Sequence, residues 1–126
     1  MARPGYSTVG SNRLAEANSY YDALLATAGM TKLFDHRSGG RIYGRDGEPL
    51  FGVLGPYDRN PATVGNGQMT GFHFDTRAEV DMFHATGLAL GGVCEGAPGE
   101  RRPGWYVAYF RDPDGNKLCA YCTAGT

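Results

Sequence analysis

Apolar and polar positions along this chain fall into two runs of helical spacing, each set among short alternating stretches. In the first run Leu14, Ala17, Tyr21, Leu24 and Ala28 recur at three- and four-residue intervals and predict a helix from an Asn12 N-cap to a stop at Gly29. In the second, Val80, Phe83, Gly87, Leu88 and Gly91 form the apolar stripe, preceded by Thr76-Arg77-Ala78-Glu79, which reads as a capping box. β-Branched and aromatic residues between turn signals predict strands over 5–10, 30–36, 41–45, 50–54, 68–74, 105–111 and 117–123, with another opening at Val93. Ser38-Gly39-Gly40, Asp46-Gly47 and Asp112-Pro113-Asp114-Gly115-Asn116 read as turns. The stretches Gly55–Gly67 and Gly96–Gly104 have no periodicity and read as loops.

The two helical runs also read alike. Ala15 to Gly29 is A-E-A-N-S-Y-Y-D-A-L-L-A-T-A-G, and Ala78 to Gly92 is A-E-V-D-M-F-H-A-T-G-L-A-L-G-G. The offset is 78 − 15 = 63, half of the 126 residues. It sets Tyr20 on Phe83 and Tyr21 on His84. Two copies of one β-α-β-β-β unit, about 5–54 and 68–123, are expected within a single domain spanning 1–126. The Asp46-Gly47 turn corresponds to Asp114-Gly115 at an offset of 114 − 46 = 68, since the second copy carries a longer loop.

Charge and composition narrow the function classes. A formal net charge of −1 and a pI near 6.3 offer no long-range attraction to nucleic acid or an anionic membrane. No apolar run approaches 18 residues, and the opening M-A-R-P-G-Y has no apolar signal core, so a cytoplasmic protein without a membrane span is expected. Three cysteines fit free thiols there better than a disulfide framework.

The tandem β-α-β-β-β pattern, Tyr20-Tyr21-Asp22-Ala23-Leu24-Leu25 on the first helix, and Arg111-Asp112-Pro113-Asp114-Gly115-Asn116 near the end together resemble the vicinal oxygen chelate superfamily. This group contains glyoxalase I, extradiol dioxygenases, fosfomycin resistance enzymes and bleomycin resistance proteins. The resemblance runs from Tyr6 to Cys122, and it extends to a bacterial subgroup of glyoxalase-like proteins whose first strand reads Tyr-x-Thr-Val-Gly. It implies an α+β fold in which the tandem modules form an eight-stranded, cup-shaped sheet around a ligand cavity. It also implies a divalent metal held by one residue on the first strand of each copy, usually His, and one on the last strand of each copy, usually Glu. Such a metal chelates vicinal oxygens of a substrate and stabilises an enolate or oxyanion.

On the repeat, the four ligand positions fall on Tyr6, Met69, Cys119 and, subtracting 68 from 119, Phe51. None is His or a carboxylate, and their neighbours Ser7, Gly52, Thr70 and Ala120 are no better. Hard divalent metals want imidazole, carboxylate and water, so no metal and no other cofactor is expected. The expected pocket is instead aromatic and sulfurous, lined by Tyr6, Phe51, Met69, His73, Cys119 and Tyr121.

Of these, His73 shares a strand face with Met69 and Gly71 and is the candidate general base. Its bland alternative is a satisfied or rim-exposed imidazole. Cys119 reads first as a small buried hydrophobe and second as a nucleophile. Cys119 and Cys122 form C-x-x-C, but odd spacing on a strand separates them onto opposite faces, which argues against a redox pair. Tyr6 and Tyr121 either orient a ligand through their hydroxyls or fill the barrel. Cys94 and His84 read as packing residues and His36 as solvated. Asp112 and Asp114 belong to a turn. The roles of three residues stay open: Trp105 either caps a cavity or covers the sheet, and Arg101 and Arg102 either clamp an anionic ligand or are solvated.

The expected function is therefore binding of a small, partly apolar molecule, by a glyoxalase-like chain that has lost the superfamily's metal. The alternatives are a metal-dependent glyoxalase- or dioxygenase-like enzyme, a metal-free lyase or isomerase, and a drug-sequestering resistance protein. A homodimer is expected from the resemblance, since bleomycin-binding relatives build their site at a dimer interface.

Overall fold

A computed structural model describes residues 1–123. The chain forms two compact units, Met1–Thr63 and the part from Val64 onward. The first unit runs β1 (Ser7–Gly10), α1 (Leu14–Ala26), β2 (Thr31–Asp35), β3 (Arg41–Arg45), β4 (Glu48–Leu54). The second runs β5 (Thr70–His73), α2 (Arg77–Ala89), β6 (Val93–Arg102), β7 (Trp105–Arg111), β8 (Lys117–Cys122). The fold is α+β. Its eight strands are hydrogen-bonded as two sheets of four, ordered β1-β4-β3-β2 and β5-β8-β7-β6, rather than as one ladder. In each sheet the first strand lies parallel to the last and the remaining pairs are antiparallel.

In the first unit Tyr21, Leu24 and Leu25 of α1 are buried with Tyr43, Phe51 and Val53 of the sheet. The Tyr21 ring lies 5.0 Å from Phe51 and 6.5 Å from Tyr43. The Tyr43 hydroxyl donates to Asp22 Oδ1 at 2.7 Å, so its polar tip is satisfied at the edge of an apolar core. Arg41 pairs with the same carboxylate.

In the second unit Phe83 of α2 is the hub, with its ring 5.0 Å from Phe72, 5.1 Å from Phe74 and 5.7 Å from Phe110. Gly87 lets the helix approach the sheet closely: a Cβ there would sit 2.4 Å from the Phe110 ring. The capping box is made in full. Thr76 Oγ1 accepts from the Glu79 N–H at 3.2 Å, and Glu79 Oε1 accepts from the Thr76 N–H at 3.1 Å.

Three expectations need correction. Asn12 does not cap α1. The N-cap is Arg13, which makes no side-chain cap bond, and Asn12 instead clasps Ala62 by accepting from its N–H at 2.7 Å and donating to its C=O at 3.0 Å. The expected loop Gly96–Gly104 is mostly strand: β6 runs to Arg102 and pairs with β7 through three register shifts. As an edge strand exposed along most of its length, it has no buried face to impose alternation, and Pro98 falls between the paired residues Gly96 and Gly99.

The third correction concerns register. Tyr43 pairs with Phe51 but Gly44 pairs with Pro49, a bulge that gives β4 one extra residue. The β7–β8 hairpin pairs without interruption from Tyr106↔Cys122 to Arg111↔Lys117. Thr8 opposes Gly52 as Gly71 opposes Cys119, so the last strands correspond at an offset of 119 − 52 = 67, not 68. The counterpart of Cys119 is Gly52. Phe51 matches Leu118, and both point to the helix side of their sheets, where each is fully buried.

Candidate functional site

Strand alternation gives the second sheet two unlike faces. Phe72, Ala108, Phe110, Leu118, Ala120 and Cys122 are buried on the side of α2. The opposite face carries Gly71 and His73 from β5, Cys119 and Tyr121 from β8, and Trp105, Val107 and Tyr109 from β7. Pairing aligns His73, Tyr121 and Val107 in one row and Gly71, Cys119 and Tyr109 in the next.

Three rings stack across this face. His73 and Tyr121 lie 5.0 Å apart at 19°, and Trp105 and Tyr121 lie 5.6 Å apart at 15°. The Arg102 guanidinium continues the column 5.3 Å from the Trp105 ring centre. His73 is exposed and Trp105 is 38% exposed, so the end rings reach solvent. Beside the column Tyr109 is flanked by Lys117 Nζ at 5.1 Å and Arg101 at 5.6 Å from its centroid. Gly71 keeps the β5 side low: a Cβ there would be 3.3 Å from Cys119 Sγ and 3.4 Å from the Tyr121 ring. Burial pushes the Cys119 thiol up to about 11, with Lys117 and a backbone hydrogen bond from Phe72 acting weakly the other way. At neutral pH it is therefore a thiol, not a thiolate.

Within the second unit the structure thus brings together His73, Cys119 and Tyr121. Met69 precedes β5 and is 45% exposed. In the first unit Tyr6 precedes β1 and is 61% exposed, while Phe51 packs against α1 and not on the opposite side. The side of that sheet away from α1 presents Thr8, Ile42 and Gly52 in one row. Trp105, Tyr109, Arg102 and Lys117 were absent from the expected lining. Counting by twos from Trp105 along β7 and back from Cys119 along β8 reaches Tyr109 and Lys117; the diagonal reach of Trp105 to Tyr121 has no such signal.

The first unit also has an open depression bordered by Ser11, Asn12, His36, Arg37, Tyr57 and Arg59. Much of its polar lining is already engaged: His36 Nδ1 with Ser38, Asn12 with Ala62, and Asn60 with Asp58. Among the described residues no three His, Cys, Asp or Glu side chains cluster as a metal site would require.

No family model matches the chain, and no curated protein matches it. Solved structures do. A glyoxalase/bleomycin resistance protein from Albidiferax ferrireducens is 40% identical, over 96% of this chain and 98% of that one, with a TM-score of 0.86. A glyoxalase/bleomycin resistance protein/dioxygenase family enzyme from Burkholderia phytofirmans is 20% identical over 98% and 100% of the two chains, with a TM-score of 0.75. A lactoylglutathione lyase from Agrobacterium tumefaciens shares the fold at 19% identity, 97% and 94% coverage and a TM-score of 0.68. With 40% identity sustained over nearly the whole of both chains, on the same α+β fold, this chain belongs to the glyoxalase/bleomycin resistance protein family.

Proposed function

We propose that this chain binds a flat, partly apolar small molecule on the open face of its second sheet, without a divalent metal. The observation that carries the reading is the near-parallel column His73–Tyr121–Trp105, whose end rings are solvent-accessible. Planar rings held in offset stacks favour further planar partners, and Lys117 and Arg101 beside Tyr109 supply cations for an acidic substituent. The absence of a metal rests on donor chemistry. The superfamily's ligand positions hold Tyr6, Gly52, Met69 and Cys119, of which one is a protonated thiol and two offer no hard donor. His73 is the one imidazole on this face of the second sheet, and one imidazole does not make a chelating set.

Trp105 is the only tryptophan and belongs to the column, so it reports binding directly. Titrating the protein with planar aromatic carboxylates is expected to quench its fluorescence saturably. Removing the middle ring with Tyr121→Ala is expected to weaken binding about tenfold or more, whereas Cys119→Ser folds and binds as the wild type does. Undiminished affinity in Tyr121→Ala sinks the assignment of the face. Near-stoichiometric zinc, nickel, manganese or iron in protein purified without a histidine tag or chelator sinks the metal-free reading.

A further inference from the structure

On the other side of the second sheet, Cys94 Sγ lies 3.4 Å from Nε2 of His84. We propose that Cys94 and His84 form a reactive thiol–imidazole pair that takes small disulfides into a mixed disulfide at Cys94. Neither the ring column nor the reading built on it enters this argument.

Cys94 is the second residue of β6 and is exposed, whereas Cys119 and Cys122 are buried. His84, on α2, is 6% exposed and set edge-on to Phe110, with ring centres 5.8 Å apart at 84°. The Tyr109 backbone also acts on the imidazole, in the direction that favours its protonated form. A neutral imidazole has one N–H and one acceptor nitrogen, and the tautomer with Nε2 as the acceptor presents a base to the Cys94 thiol. Burial holds the imidazole below its ordinary pKa and keeps it neutral, against weaker opposition from the Tyr109 backbone and from Asp81. Nucleophile and base are thus within reach of each other, the Cys94 thiol beside the His84 imidazole.

The step balances without any further reactant. The Sγ–H proton moves to His84 Nε2. The thiolate attacks one sulfur of the small disulfide, an Sγ–S bond forms as the S–S bond breaks, and the electron pair departs on the leaving sulfur. That sulfur takes the proton back from the imidazolium, giving one mixed disulfide and one free thiol. Asp81, which accepts from the Tyr106 hydroxyl at 2.6 Å, also acts on His84 in the direction that favours the transient cation.

The test uses 5,5′-dithiobis(2-nitrobenzoate), an aromatic disulfide, on the whole native chain at neutral pH. One thiol per chain is expected to react in a fast phase, about tenfold or more ahead of N-acetylcysteinamide under the same conditions. Intact mass and peptide mapping place the adduct on Cys94, and Cys94→Ser abolishes the phase. His84→Asn keeps a polar side chain at the site but lacks the ring nitrogen that faces Cys94, and is expected to slow the phase about tenfold or more. If His84→Asn loses its native circular dichroism, the wild-type rate against the reference thiol decides alone. A Cys94 rate no greater than that thiol's overturns the proposal. So does an adduct that maps to Cys119 or Cys122, or a folded His84→Asn that reacts at the wild-type rate.

Discussion

Cys119 shows how one side chain ties the candidate face to stability. Its neutral form is favoured in the folded state, where burial raises the pKa from 9.0 to about 11. Stability tied to the thiol is then present below about pH 9 and is lost as pH rises toward 11, because the unfolded chain ionises first. The loss reaches about 2 kcal/mol by pH 11. Tyr43, raised by burial and by its bond to Asp22, adds a loss of the same sign above its ordinary value of 10. Urea midpoints measured from pH 8 to 11 are expected to fall, and Cys119→Ala is expected to flatten the portion between pH 9 and 10. A slope unchanged by that substitution refutes the assignment. The buried imidazole acts at the other end of the scale: lowered by desolvation, His84 withdraws stability as pH falls below its ordinary 6.5.

Among the elements, the two helices start differently. α2 begins at a reciprocal box, α1 at an Arg13 with no side-chain cap bond. Thr76→Ala is expected to cost about 1 kcal/mol by chemical denaturation, and a cost below a few tenths shows the box to be idle. The box was legible because Thr76 and Glu79 lie three residues apart. Asn12 was not, because its partner Ala62 is fifty residues away and the choice between cap and clasp is made by the folded chain. β3 and β7 were legible to the residue, Arg41–Arg45 and Trp105–Arg111, since turn residues bound them. The start of β6 at Val93 was legible, but its continuation to Arg102 was not, because an edge strand without a buried face shows no alternation. Phe51 was assigned to the wrong side of its sheet because a bulge leaves no mark in residue type. The pairing of His84 with Cys94 joins a helix to an edge strand, so neither residue's local pattern announces it.

At the level of the whole molecule, each unit has its own aromatic core and its own pair of outer strands, β1 with β2 and β5 with β6. Phe34 on β2 is 51% exposed and Val93 on β6 is 64% exposed. Outer strands with exposed apolar residues are surfaces that a second copy can cover, and we expect a homodimer. Light scattering is expected to return a mass near twice 13.5 kDa, and a one-chain mass at micromolar concentration contradicts it. No described helix is long and apolar enough to cross a membrane.

The bulge in the first hairpin also bears on where a carboxylate could be placed on the face of the first sheet away from α1. The turn-based count points to Phe51 as the place to install a carboxylate, but a charge there would be driven into the packing of α1. The position that faces away from α1 is Gly52, where a new Cβ would meet Ile42 Cδ1 at 2.6 Å and Thr8 Cγ2 at 3.3 Å. Ile42 would have to swing aside or shrink before any acidic side chain fitted. An acidic side chain on that face of the first unit therefore takes a second substitution, at Ile42, beside the one at Gly52. One extra residue in β4, invisible in composition, thus sets which position on the first sheet an engineered carboxylate could occupy.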